Sequence, residues 1–173
     1  MINPVPERLN NFRVYLEGNA LAGVATVELP DIEAMTDTVS GAGIAGEIDS
    51  PIIGHFGSMA ATINFRTITK DGLSLAAQKS HAIDFRGAMQ VYDSGEGEYK
   101  TTAVRVSVRG VPKRNGLGSL EVGSTTDSEV ELELTYMKVF VDNQERIEID
   151  KYNFKYVVDG VDYLAEIRDA MGL

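Results

Sequence analysis

The strictest constraint on this chain is the stretch from Ile83 to Val111, where apolar and polar side chains alternate with period two on both sides of a turn. Ile83, Phe85, Met89 and Val91 stand against Asp84, Arg86 and Gln90. After Ser94-Gly-Glu-Gly97 the pattern returns, with Val104, Val106 and Val108 against Arg105, Ser107 and Arg109. Successive side chains of a strand point to opposite faces, so the alternation predicts a long β-hairpin with one apolar and one polar face. The apolar face has to be covered by other layers of the same fold.

The rest of the chain reads in the same terms. Phe12 to Glu17 alternates, and Gly18-Asn19 offers the backbone freedom of a tight turn into a returning strand, Ala20 to Leu29. Ala61 to Lys70 is a strand pattern, and Asp71 is placed to cap a short helix that carries Leu73, Leu75 and Ala76 inward. Val130, Leu132 and Leu134 alternate with Glu129, Glu131 and Glu133, and that run extends to Val141. A turn at Asp142-Asn143-Gln144 leads to a last strand, Arg146 to Val158, with a break near Asp150-Lys151. Asp159-Gly160 then opens a helix over 161–171, with Leu164, Ile167 and Met171 on one face and Gly172 at its C-terminus. Two segments lack strand or helix patterning. Residues 32–58 are rich in glycine and form a long arm or loop; residues 112–128 form a second polar, flexible loop. The expected architecture is a single domain over 1–173, mainly β: a β-sandwich or partly closed barrel with one or two short helices and a long loop.

Bulk properties narrow the function. With 173 residues the chain is long enough to bury a sizeable core. It has no cysteine, which excludes disulfides and thiolate metal sites. A net charge of −10 argues against tight phosphate binding, which depends on clusters of Lys and Arg. No apolar run is long enough to span a bilayer, and Met1-Ile-Asn-Pro-Val-Pro-Glu-Arg8 lacks the pattern of a secretory signal, so a soluble cytosolic chain is expected.

Chemical motifs are sparse. Gly41-Ala-Gly-Ile-Ala-Gly46 fits G-x-G-x-x-G by letter, yet Pro51 stands where the nucleotide-binding helix should run. His55 and His81 have no second ligand at metal spacing and read as surface or turn residues. There is no G-x-S-x-G elbow. No catalytic residue, metal or cofactor is expected. Glu129, Glu131 and Glu133 fall on one side of a strand at about 7 Å intervals. They face a channel that repels phosphate, lie on the outside of a ring, or pair across strands with Arg105 and Arg109.

Several ordered motifs resemble those of the major tail tube proteins of contractile phage tails and related R-type bacteriocins. They are Leu9-Asn-Asn-Phe-Arg-Val-Tyr-Leu-Glu-Gly18, Gly23-Val24-Ala25, Leu29-Pro30, Gly41-Ala42-Gly43 and Val108-Arg109-Gly110. The match is fullest at the end, in Glu148-Ile149-Asp150, Asp159-Gly160-Val161-Asp162 and Gly172-Leu173. The resemblance implies a structural subunit of the inner tube, forming stacked hexameric rings around a channel for DNA or ion passage after sheath contraction. Expected partners are other copies of the chain, the sheath protein, baseplate and terminator proteins, and a tape measure protein in the lumen, with DNA passing without specific binding. The place would be a virion tail or tailocin, assembled in the bacterial cytoplasm. By the same resemblance Gly41, Ala42, Gly43, Ile44, Gly46, Ile48, Ile52 and Ile53 are inter-ring contact candidates. Glu129, Glu131 and Glu133 are lumen candidates, and Arg86, Arg105 and Arg109 are candidates for intersubunit salt bridges. Leu164, Ile167, Met171 and Leu173 are C-terminal contact candidates. The alternatives are a soluble β-sandwich binding module, a type VI secretion-like tube protein and, more remotely, a hydrolase.

Overall fold

The computed structural model describes residues 3–173. Its strands are β1 (Pro4–Leu16), β2 (Asn19–Ala20), β3 (Val24–Glu28), β4 (Ala34–Val39), β5 (Ile48–Phe56), β6 (Ala60–Phe65), β7 (His81–Asp93), β8 (Glu98–Gly116), β9 (Ser128–Val141), β10 (Gln144–Asp150), β11 (Lys155–Val158) and β12 (Val161–Asp162). Two short helices, α1 (Lys70–Ser74) and α2 (Ala165–Met171), complete it. All strand pairs are antiparallel. The main sheet runs β12, β11, β10, β9, β8, β7, β1, β2, and a branch adds β6 to β9 and β3 to β6. β4 and β5 pair only with each other. Among the described residues no helix is long and apolar enough to cross a membrane.

The alternation that predicts the β7–β8 hairpin is realised over its whole length, from His81 opposite Gly110 to Asp93 opposite Glu98. Its apolar face, with Ile83, Phe85, Val106 and Val108, is buried against Ala61, Ile63 and Phe65 of β6 and Val130, Leu132 and Leu134 of β9. The branch is what creates this second layer. On one side β9 pairs with β8; on the other it pairs first with β6, through Ser128–Glu133, and then with β10, through Tyr136–Val141. Where the partner changes, the ladder skips Thr135, since Gly110 opposes Leu134 and Arg109 opposes Tyr136. This bulge inverts the phase of the strand. Leu132 and Leu134 point inward before it; Met137 is buried after it, and Tyr136 turns to the outer face beneath Arg109.

Several elements differ from the sequence expectation. The first strand begins at Pro4, because its exposed N-terminal half is held by pairing with β7 rather than by burial. The first tight turn is Glu17-Gly18, both at positive φ, and Asn19 is already in the strand. Thr69, not Asp71, caps α1, its hydroxyl accepting from the Gly72 N–H. Leu75 is buried behind this helix, while Leu73 and Ala76 face outward. β8 runs on to Gly116 as the partner of β9, so the second loop is confined to 117–127. Val161-Asp162 pairs with β11 through the Asp159-Gly160 turn, and the terminal helix starts only at Ala165. His81 is buried, with Nε2 donating to the Ala77 carbonyl at 3.0 Å, whereas His55 is exposed.

Gly110 is the residue the bulge cannot replace. A Cβ there would lie 2.8 Å from Leu134 Cδ2 and 2.9 Å from the Glu133 carbonyl oxygen. Gly110→Ala should therefore lower stability by about 1–3 kcal/mol through overpacking, read as a lower urea midpoint at unchanged slope.

Candidate assembly surfaces

The segment expected to be an irregular arm is a β-hairpin. Ala34 opposes Phe56 at its root, and Val39 opposes Ile48 near its tip. The six residues Gly41, Ala42, Gly43, Ile44, Ala45 and Gly46 form most of the connection, with Ile44 half-buried and the three glycines at positive φ. An isolated two-stranded hairpin is marginal in water. This one nevertheless exposes Ile48, Ile52 and Ile53 at 56%, 43% and 59%, together with Met35 and Val39 on the facing strand. Met35 and Val39 escape sequence reasoning because each sits singly among Thr and Asp. Their signal is the i, i+4 spacing on one strand face.

The root of the hairpin is fixed by the C-terminal segment. Gly54 approaches so closely that a Cβ would lie 2.6 Å from Leu164 Cγ. Phe56 meets the Tyr156 ring edge-on at 4.9 Å, His55 meets Phe154 at 5.7 Å, and Lys151 Nζ donates to the Gly57 carbonyl at 2.7 Å. Arg168 of α2 closes this region: it binds Asp162 at 2.6 Å and donates to the Phe154 carbonyl at 2.9 Å. Leu164 is thus buried inside its own subunit. Ile167 is half-buried, and Met171 and Leu173 are exposed at 55% and 79%.

Glu129, Glu131 and Glu133 point away from the core, as alternation requires, but they are not a bare acidic wall. Arg114 pairs with Glu129, Lys113 lies 3.4 Å from Glu131 and 3.8 Å from Glu133, and Lys151 lies 3.9 Å from Glu133. Ser58 Oγ donates to Glu133 at 2.6 Å. Arg105 and Arg109 do not serve this stripe. They lie on the outer face of the other layer, stacked over Phe140 at 4.1 Å and Tyr136 at 5.1 Å, while Arg86 lies over Tyr15 at 4.7 Å and binds Asp84. Spacing along one strand gives facing, but it cannot give the identity of the cross-strand neighbour.

The structure thus defines a β-sheet subunit with a self-paired apolar hairpin rooted on its C-terminal segment. Residues 6–172 match the family model for the phage tail tube protein FII, and the chain belongs to this family. It is 29% identical over 179 residues to the tail tube protein of Escherichia phage P2, covering 98% of this chain and 99% of that protein. It is 25% identical over 171 residues to the major tail tube protein of Serratia phage KSP20, covering 98% of each. In fold it is similar to a chain in the sheath/tube terminator of the extracellular contractile injection system PVC. The TM-score is 0.53 and the identity 16%, with 79% of this chain and 96% of that chain covered. The expectation of a tail tube protein of the contractile phage type, built on a mainly β fold, is borne out.

Three carboxylates held by cationic partners predict an acid response. The Arg168 hydrogen bond holds the Asp162 carboxyl below its ordinary range. The Lys100 hydrogen bond does the same for buried Asp93, which also accepts from the Asn3 N–H. Burial pushes Glu148 up, but Lys155 at 2.7 Å and Lys138 at 3.5 Å outweigh it and leave the carboxyl lowered. Groups whose folded pKa is depressed contribute stability that is fully present above the unfolded values, about pH 4 to 4.5, and lost as pH falls through the folded ones. Tyrosine fluorescence should report unfolding on acidification below about pH 4. Asp162→Asn, which leaves Arg168 without its carboxylate, should weaken α2 docking already at neutral pH, read as faster amide exchange in residues 161–171.

Proposed function

We propose that this chain forms hexameric rings that stack into the inner tube of a contractile tail or tailocin and enclose a channel for DNA or ion passage. The carrying observation is the β4–β5 hairpin. It exposes apolar side chains on both strands and, among the described residues, pairs with no other strand, and burial on a neighbouring ring would remove those side chains from water. Ring closure needs a second device, and β1 supplies it. From Pro4 to Arg13 one edge is paired with β7 and, among the described residues, the other carries no strand. An open edge of this length is a template for a neighbour. Pro4 and Pro6 remove N–H groups from its first turns and so restrict where such pairing can begin.

In this reading Gly41, Ala42, Gly43, Ile44, Gly46, Ile48, Ile52 and Ile53 reach the adjacent ring, and Met171 and Leu173 add contacts. The stripe of Glu129, Glu131 and Glu133 lines the channel. Its paired charges suit passage better than a bare acidic wall would, because it neither grips phosphate nor repels its own neighbours. The role is structural and not catalytic. The sheath, baseplate and terminator proteins are the expected external partners, with a tape measure protein in the lumen and assembly in the host cytoplasm. Neighbouring capsid or terminase genes would mark the particle as a phage; their absence would mark a bacteriocin.

Deletion of residues 44–53 tests the reading. The β circular dichroism signal should persist, since no residue of the buried core lies in 44–53, while negative-stain images should show rings without elongated tubes. Normal elongation by the deleted chain would refute the stacking role. A wild-type chain that stays monomeric at high concentration with sheath and baseplate proteins present would refute the tube itself.

A further inference from the structure

The outer face of β1, β7, β8 and β9 carries a charge arrangement that the isolated subunit leaves uncompensated. Arg13 opposes Arg86, Arg86 opposes Arg105, and Arg105 opposes Phe140, in one straight row across four strands. Like charges directly opposite one another destabilise a sheet. Among the described residues only Arg86 of the three has a carboxylate partner, Asp84 at 3.1 Å. Arg105 lies on the Phe140 ring, and its Nε is buried without a hydrogen-bond partner. A shallow groove of about 380 Å³ follows the row, lined by Arg13, Tyr15, Arg86, Arg105, Phe140 and Asn143.

The hairpin arm is the complement of this face. Residues 32–58 hold Glu33, Asp37, Glu47 and Asp49 and no Lys or Arg. Among the described residues none of these four carboxylates has an ion-pair partner. Their apolar neighbours Val39 and Ile48 are exposed beside them. We propose that the arm of one copy docks on the arginine row of a neighbouring copy. Its carboxylates meet Arg13, Arg105 and Arg109, and its apolar side chains cover the rings of Tyr15, Tyr136 and Phe140. The inference rests on the reading of the arm as the stacking element and adds the surface that receives it. The same chemistry argues against this face lining the channel. Free arginines interleaved with aromatic rings grip nucleic acid through phosphate contact and stacking, and would hold DNA in transit.

The absence of cysteine makes a direct test clean. Chains carrying Arg13→Cys with Asp49→Cys, and separately Arg105→Cys with Glu47→Cys, are assembled and oxidised. A ladder of disulfide-linked subunits from at least one pair supports the docking. In parallel, Arg13→Glu with Arg105→Glu should cut tube yield by about tenfold or more through like-charge juxtaposition with the arm, and adding Glu47→Lys with Asp49→Lys should restore it. Tubes that elongate normally with the arginines reversed, and no ladder from either pair, overturn the receiving face while the loss of elongation on arm deletion still supports stacking. Elongation that survives arm deletion overturns both. Assembled wild-type tubes that retain duplex DNA in 0.15 M salt, and lose it on arginine reversal, would show the face open to nucleic acid and likewise overturn the docking.

Discussion

One extra residue governs this fold. Because the β8–β9 ladder steps over Thr135, β9 presents Leu132 and Leu134 to the core on one side of the step and Met137 on the other, although these positions are out of phase along the chain. Its backbone also changes partner there. The Leu134 N–H donates to the Met59 carbonyl at 2.7 Å, and the Thr135 carbonyl accepts from the Lys151 N–H at 3.0 Å. A strand with unbroken alternation would keep one partner on each edge and stay in a single layer. The bulge lets the same strand belong to two layers and so enclose a core. Glycine at position 110 is the local condition for it, since no side chain fits opposite Leu134.

The placement of the assembly surfaces follows from that branch. The glutamate stripe lies on the part of β9 that pairs with β6, where Lys113 and Arg114 of the extended β8 reach it. The arginine and aromatic face lies mainly on the other part, beyond the bulge. Lys151, in the turn after β10, is brought back to the arm root by the same change of partner, where it binds both the Gly57 carbonyl and Glu133. The two outer faces therefore differ in kind. One is hydrophilic and internally neutralised; the other carries arginines stacked on aromatic rings.

Much of this was legible in the sequence, and the limits are physical. The β7–β8 hairpin, the inward set Val130, Leu132 and Leu134 and the C-terminal glycine cap all rest on local pattern, and the structure has them in place. What local pattern cannot carry is pairing. The arm lacks alternation because neither of its faces is buried, so its hairpin is held by backbone bonds that composition does not reveal. The extension of β8 past Pro112 is hidden in the same way, since polar Lys113 and Arg114 sit in a strand only because β9 lies beside them. The sequence pattern overextends the terminal helix because Val161-Asp162 serves both a helical and a strand pattern, and pairing with β11 decides for the strand.

The resemblance at the C-terminus gains a physical content from these contacts. Asp162 and Arg168 form a closed pair, Arg168 also holds the Phe154 carbonyl, and Leu164 fills the space that Gly54 leaves open. Asp162 of the motif Asp159-Gly160-Val161-Asp162 accepts from the Leu164 N–H at 3.0 Å and so helps to hold Leu164 against the arm root at Gly54, and an arm of this length gains reach only if its root is rigid. An unfixed hairpin would lose, in ordering entropy on docking, much of what its apolar residues contribute. Fixing the root within the subunit removes that cost before assembly. The most recognisable part of the sequence is therefore the part that fixes the arm root, while the exposed strands above it carry the apolar side chains of the proposed contact.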